Sequence, residues 1–142
     1  MRYSASLVAD AVTLLSWKFD DAQSSNWNLN SRQARSTTFN AGVLTGVVPT
    51  DGVRYSGGVE NALRMLEQWS GYTLTFNGSI TVLFYSEIAD ARWGSAFVYT
   101  PPTRAYSFDP NFKDEAKLPP GTPYLRTLIR AEWNIAQAGS SF

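Results

Sequence analysis

Residues 72–85, YTLTFNGSITVLFY, decide the fold class of this chain. Tyr, Leu and Phe alternate with Thr before the central Asn-Gly pair, and β-branched and aromatic residues follow it. An alternation with a period of two and this enrichment are typical of strands. Two strands around Asn-Gly predict a hairpin, although a corner of a β-solenoid uses the same pair of residues. The stretch therefore predicts a β-rich protein and leaves its topology open.

Other stretches extend this β-rich prediction, with one exception. Residues 36–48 are rich in β-branched side chains and have no apolar helical face, so they predict a further strand. Residues 7–15 fit either one helical face or a buried strand with Asp10 facing outward. The exception is residues 59–69, where apolar residues recur at the spacing of a buried helical stripe. We therefore expect one short helix in a mainly β protein.

Two segments are rich in turn-forming residues. Residues 17–35 predict a long surface loop, in which we expect Trp27 to pack back on the protein. Residues 101–123 hold most of the 7 prolines, so we expect them to wrap over the core outside the strand ladders. The final run, residues 124–133, favours a strand. The length fits one β-rich domain over residues 1–142.

The composition limits the chemistry that this chain can perform. Its 142 residues contain no Cys and no His, which excludes thiolate and imidazole metal sites and Ser-His triads. The 12 Lys and Arg balance the 12 Asp and Glu, so no net charge attracts nucleic acid. No apolar run approaches the roughly 18 residues of a membrane span, and no segment has the pattern of a signal peptide. We predict no metal, no cofactor, no nucleic-acid partner and no membrane span.

Aromatic side chains are the main candidates for ligand binding. They make up 14% of the residues, and exposed aromatic rings present flat apolar faces that match the C–H faces of sugars. The candidates are Trp93, Tyr99, Tyr106 and Trp133. Aromatic side chains in a β protein more often belong to the core or cover an edge. A glycan is therefore the ligand to test.

Carboxylates give an alternative chemistry. Asp20–Asp21 would offer oxygen ligands to Ca²⁺, but the spacing of the surrounding polar residues matches no standard calcium loop. A glycosidase needs two carboxylates across its substrate, which Asp109 or Glu115 would provide only opposite Glu60 or Asp90. Both groups also fit solvated turns, so we expect no catalytic residue and no metal ligand.

Six short strings occur together in an order that is familiar from one group of proteins. They are DAVTLLS at 10–16, NAGVLTG at 40–46, YSGGVEN at 55–61, WSG at 69–71, PPTR at 101–104 and LPPGTP at 118–123. Over residues 7–133 the chain resembles the C-terminal region of large bacterial envelope proteins, labelled as pilus-assembly (PilX-like) proteins. The resemblance implies the terminal coils of a right-handed β-solenoid and a location in the cell envelope or outside the cell. The alternative is a compact α+β domain with an antiparallel sheet.

The resemblance also implies a function. The family has no established catalytic residues, so we expect a non-catalytic structural or interaction module of a cell-surface or pilus-associated protein. The N-terminal strand would lack a neighbouring coil, and an apolar strand edge must be paired or hidden. We therefore expect a protein partner or self-association through this strand. The alternatives are a carbohydrate-binding module that uses the exposed aromatics and a carboxylate-based polysaccharide-active enzyme.

Overall fold

The computed structural model describes residues 4–48, 62–89 and 98–123. Its strands are β1 (Ser6–Ala9), β2 (Val12–Thr13), β3 (Thr37–Val47), β4 (Leu63–Arg64), β5 (Thr73–Tyr85) and β6 (Thr103–Ser107). The described residues also form short 3-10 helices at Asp21–Gln23, Leu29–Ser31, Pro110–Lys113 and Glu115–Lys117. The prediction of a mainly β protein is confirmed.

Every strand pair within the described residues is parallel. β1, β3, β5 and β6 form one sheet in that order, and β2 and β4 form a second sheet. Single parallel bridges make a third line of contacts, from Gln33 to Gln68 to Thr100. On each of its first two turns the chain passes the main sheet, the second sheet and the bridge contacts in the same order. It therefore winds as a β-solenoid. The alternative of an antiparallel sheet is therefore wrong. Crossover connections between parallel strands are right-handed in nearly all proteins, so a right-handed winding is expected.

The Asn77-Gly78 pair lies inside β5 and not in a hairpin turn. β5 continues through the pair for 13 residues, and Gly78 is the register partner of Ala41 on β3. A Cβ atom on Gly78 would lie 1.8 Å from the Ala41 carbonyl oxygen. The hairpin prediction is wrong because the glycine permits a close approach of two backbones and makes no turn.

The helix predicted over residues 59–69 is wrong from Leu63 onward, and its first three residues lie outside the described part of the chain. Leu63, Met65, Glu67 and Trp69 are buried, while the residues between them are half-buried. This period of two belongs to an extended segment whose alternate side chains enter the coil. The pairing of β4 with β2 stabilises an extended conformation here, although the spacing of the apolar residues also fits a helix.

Of the remaining local predictions, some are confirmed and others are wrong. Two short strands, β1 and β2, lie at residues 6–13 and are separated by a corner at Asp10, which confirms a strand conformation. The expectation that this strand is buried is wrong for β1, which is exposed at every residue. Trp27 is 84% exposed, so the prediction that it packs back on the protein is wrong. Within residues 101–123, β6 joins the main sheet, contrary to the expectation that no part enters a ladder. Residues 124–133 lie outside the described residues.

The core fills the inside of the coil. Its buried members are Val12, Leu14, Ala34, Ala41, Val43, Leu63, Met65, Trp69, Leu74 and Phe76. Aromatic side chains repeat on successive turns, because Phe39, Phe76 and Tyr106 are register partners. The Phe76 and Tyr106 ring centroids are 5.9 Å apart. Burial of one large apolar side chain contributes roughly 1.5–3 kcal/mol, so this stack holds the turns together.

Polar side chains repeat on the outer face in the same way. The Asn77 side-chain amide donates to the Asn40 side-chain oxygen at 2.9 Å, across 37 residues of chain. The Ser107 hydroxyl donates to the Asn77 oxygen at 2.6 Å, across 30 residues. The two turns differ in length, which explains why the sequence shows no fixed period. An outer ladder of this kind fixes the register of neighbouring turns.

Candidate functional site

The candidate site begins at β1, which is one of the two edge strands of the described main sheet, the other being β6. Ser6 pairs with Gly42, whose N–H donates to the Ala5 carbonyl at 2.8 Å. In a parallel ladder with this register, the backbone N–H and C=O groups that bond to β3 belong to Ala5 and Leu7. The N–H and C=O groups of Ser6 and Val8 therefore point away from β3. No described residue pairs with these outward groups. β1 is exposed along its whole length, and Val8 is 67% exposed.

The end of β1 is held in place by Asp10. Its carboxylate accepts hydrogen bonds from the backbone N–H groups of Glu87 (3.2 Å), Ile88 (3.2 Å) and Ala89 (2.6 Å). The Ser86 hydroxyl also donates to the Asp10 carbonyl at 3.1 Å. The Ala89 N–H makes the largest contribution to holding the pKa of Asp10 below its ordinary value, against the opposing effect of burial. This corner fixes β1 relative to the loop that follows β5.

A groove opens beside β1 on the outer face of the sheet, with a volume of about 570 Å³. Volumes of this size are typical of ligand sites. One wall is the sheet, where Ser6, Leu7, Val8, Gly42, Val43, Leu44, Ser79 and Thr81 line the groove. The other wall is the Pro-rich segment, through Phe108, Phe112 and residues 118–123. None of the described residues that line it carries a charge.

The covering wall is ordered by its own local contacts. The Phe108 and Phe112 rings meet edge-to-face with centroids 5.9 Å apart. Asp109 caps the 3-10 helix that contains Phe112, because its carboxylate accepts from the Asn111 N–H at 2.9 Å. Phe112 reaches the sheet above Gly42, where an added Cβ would lie 3.7 Å from its ring. The groove is thus a built feature of two packed segments.

The predicted aromatic candidates do not gather in this groove. Tyr106 stacks on Phe76 and is 41% exposed, and partial burial raises the pKa of its hydroxyl. Tyr99 packs against the buried core. Trp93 and Trp133 lie outside the described residues. The most exposed tryptophans of the described chain are Trp17 and Trp27 instead, at 73% and 84%.

The carboxylate candidates take structural positions. Asp20 caps a 3-10 helix by accepting from the Ala22 N–H at 3.0 Å, and Asp109 caps another in the same way. Glu60 and Asp90 lie outside the described part of the chain. No group of three or more acidic side chains within the described residues is arranged to hold a metal ion.

A buried carboxylate that the sequence analysis did not single out is Glu67. It is fully buried and accepts hydrogen bonds from both the N–H and the hydroxyl of Ser16, at 2.5 and 2.6 Å. These bonds join the residues that follow β2 to those that follow β4. The carboxylate also lines a polar cavity of about 130 Å³ with Lys18 and Arg32. The sequence alone does not reveal that Glu67 lies on the inner side of an extended segment, because this depends on the fold.

Sequence reasoning missed Phe112 and Leu118 as site residues. A signal existed for both, since the Pro-rich segment is unusually rich in aromatic and apolar residues for a surface loop.

Comparison of the chain with known protein families, curated proteins and solved structures found no match. The resemblance to envelope proteins therefore stays a prediction. Among the described residues, no helix is long and apolar enough to cross a membrane.

Proposed function

We propose that this chain is a non-catalytic structural or interaction module that accepts a further β-strand on the free edge of β1. The supporting observation is the row of outward N–H and C=O groups of Ser6 and Val8, which no described residue satisfies. A partner strand gains main-chain hydrogen bonds at such an edge, and neighbouring apolar surface adds affinity. The partner is a second copy of this chain or another β-rich protein.

The sheet architecture supports this proposal. β3 and β5 each have a strand on both sides, whereas among the described residues β1 pairs with β3 alone. Natural proteins usually blunt an open edge with charge, proline or a bulge. β1 reads Ser-Leu-Val-Ala and has no charge, proline or bulge, so its length of four residues is what limits this edge. The resemblance to envelope and pilus-associated proteins supports a setting at the bacterial cell surface.

Light scattering of the purified chain tests the proposal. We expect the mass to rise above the 15.7 kDa of one chain as the concentration increases. Val8→Pro removes an outward N–H without breaking a bond to β3, so this variant should remain monomeric. Val8→Thr keeps the N–H and serves as the matched control, which should still associate. A wild-type chain that stays monomeric at millimolar concentration, and binds no strand peptide, would contradict the proposal.

A carbohydrate-binding module is the second candidate function. The observation that favours it is the exposure of Trp17 and Trp27 on the loop between β2 and β3. Glycan-array binding that is lost in Trp27→Ala and retained in Val8→Pro would support this function. Binding that is insensitive to both substitutions would exclude these two features as the glycan site.

A further inference from the structure

The loop between β2 and β3 forms most of the polar cavity of about 130 Å³ that Glu67 also lines. The loop residues that line it are Lys18, Phe19, Asp20, Gln23, Ser31, Arg32 and Gln33. At roughly 30 Å³ for each water molecule, the cavity has room for about four waters. This space suits one hydroxyl-bearing edge of a small ligand, whereas a whole drug-sized molecule needs about 300 Å³ or more.

The walls of this cavity are held by hydrogen bonds between two turns of the coil. The Gln68 N–H donates to the Arg32 carbonyl at 2.8 Å, and the Ala34 N–H donates to the Gln68 carbonyl at 2.9 Å. Glu67 fixes another wall, because both of its carboxylate oxygens accept from Ser16. A site whose walls are already ordered loses little conformational entropy when a ligand binds. The cavity is therefore preorganised for a ligand.

The side chains of the cavity offer both hydrogen-bond donors and acceptors. Lys18 and Arg32 only donate, Asp20 accepts, and the Gln33 amide does both. Within the described residues, no ion pair joins these cations to the carboxylates of the cavity. A hydroxyl group donates one hydrogen bond and accepts others, so a ligand with several hydroxyl groups satisfies both kinds of side chain.

We infer that this cavity binds the hydroxyl edge of a neutral sugar ring, while the exposed indole of Trp17 contacts the apolar face of the ring. Trp17 immediately precedes Lys18 in the chain and is 73% exposed. Its N–H donates to the Thr37 hydroxyl at 3.3 Å, which anchors the backbone beside the cavity. The inference rests on the second candidate function, carbohydrate binding, and is independent of strand docking on β1.

The charges that line the cavity favour a neutral ligand over an ionic one. Two cations, Lys18 and Arg32, share the lining with two carboxylates, Asp20 and Glu67. A ligand carboxylate would be attracted by the cations and repelled by the carboxylates, and a ligand cation would meet the reverse. A neutral sugar gains charge-assisted hydrogen bonds from both kinds of group and meets neither repulsion.

An array of paired oligosaccharides tests the choice of ligand. Oligosaccharides of glucose, mannose and galactose are compared with their uronic acid counterparts, in which a carboxylate replaces each hydroxymethyl group. We expect at least one neutral series to bind, with an affinity about ten-fold higher than that of its uronic counterpart, measured by titration calorimetry. A uronic series that binds as tightly as its neutral counterpart would overturn the inference.

Variants of the lining test the place of binding. Lys18→Met removes a donor from an exposed position, so the fold should be kept and the affinity for the neutral sugar should fall about ten-fold. Lys113→Met is the matched control, because it changes an exposed lysine outside the cavity and should keep the wild-type affinity. Arg32→Gln and Trp17→Ala should also weaken binding, and circular dichroism shows whether each variant is folded.

The outcomes separate this inference from the two proposed functions. Sugar binding that persists in folded Lys18→Met and Arg32→Gln but is lost in Trp27→Ala would overturn the cavity and leave carbohydrate binding standing. Absence of binding by every neutral oligosaccharide would overturn the inference and carbohydrate binding together. Light scattering of Lys18→Met should match that of the wild type in either case, because strand docking depends on β1.

Discussion

The two halves of β5 belong to one strand but differ in burial and in pairing, and the register with β3 shifts in the second half, between Thr45 and Gly46. In the first half, Leu74, Phe76 and Gly78 are buried and alternate with half-buried residues. In the second half, from Thr81 to Tyr85, every residue is exposed. The same residue type illustrates the difference, since Leu74 is 0% exposed and Leu83 is 70% exposed.

The cause lies in the neighbours of each half. β6 pairs with β5 only from Thr73 to Asn77, and the core cluster meets the same half. Beyond Asn77 the described residues provide β3 on one side only. Hydrophobic residue type therefore does not determine burial in this strand. The turns that stack beside a residue determine it, and substitutions along β5 should separate the two halves.

The largest effect is expected at Gly78, in the buried half. Gly78→Ala places a Cβ atom 1.8 Å from the Ala41 carbonyl oxygen, so the backbone of β3 or β5 must move. We expect a loss of more than about 3 kcal/mol of unfolding free energy, at the upper end for an overpacked site. Urea denaturation measures this loss.

Gly42→Ala is the matched control for Gly78→Ala. It lies on β3, and the nearest atom to its added Cβ is the Ser79 hydroxyl oxygen at 3.5 Å, an ordinary contact. Its unfolding free energy should change by less than about 1 kcal/mol. Equal effects of the two substitutions would show that the tight contact between β3 and β5 is not what requires glycine.

Leucine truncation gives the next largest effect and compares the halves directly. Leu74→Ala removes a fully buried side chain and should cost about 2–5 kcal/mol of unfolding free energy. Leu83→Ala, on the same strand, should change it by less than about 0.5 kcal/mol. Thermal or urea unfolding of the two variants measures the difference. A large loss from Leu83→Ala would mean that the second half of β5 is covered in solution.

The same contrast explains what the sequence could predict. The alternation in residues 72–85 revealed strands correctly, because it depends only on neighbouring residues. The Asn77-Gly78 pair led to the wrong prediction of a hairpin, because the role of Gly78 depends on Ala41, which lies 37 residues earlier in the chain. The helix expected from Leu63 onward failed for a similar reason. Pairing of β4 with β2 is a long-range contact that local periodicity does not report.

The candidate site was predictable only in part. An open edge near the N-terminus followed from the resemblance to solenoid ends, whereas the groove did not. Phe112 and Leu118 come to line the same groove as Leu44 and Ser79 only after the chain has completed further turns. An aromatic residue followed by Asn or Ser recurs at Phe76-Asn77 and on the turns before and after it, but unequal turn lengths hide the repeat.

The outer ladder on the buried half of β5 should contribute a smaller effect. Asn77→Ala removes the bonds to both Asn40 and Ser107, so we expect a loss of about 1–2 kcal/mol of unfolding free energy. Asn40→Ala, the matched control, removes only the bond to Asn77 and should cost about half as much. Urea denaturation measures both losses. Equal losses would indicate that the ladder does not act through its central residue.

The smallest effect is expected at Asp10, which holds the loop that follows the exposed half of β5. The N–H groups of Ala89, Glu87 and Ile88 keep the pKa of Asp10 below its ordinary value of 3.8. A carboxyl group whose pKa is lowered by folding stabilises the protein above its unfolded pKa, and this contribution is lost as the pH falls through the folded pKa. Asp10→Asn should therefore lower the Tm near pH 7.

The pH dependence provides the decisive measurement for Asp10. The Tm values of wild type and Asp10→Asn should begin to converge as the pH falls below about 4, the ordinary pKa of the carboxyl group in the unfolded chain. They should meet only below the lowered pKa of folded Asp10, where the wild-type carboxylate is protonated. Asp20→Asn is the control, since it removes a charge from a carboxylate that accepts a single backbone N–H. A Tm difference between Asp10→Asn and wild type that stays constant from pH 7 to pH 2 would show that the charge of Asp10 does not hold this corner.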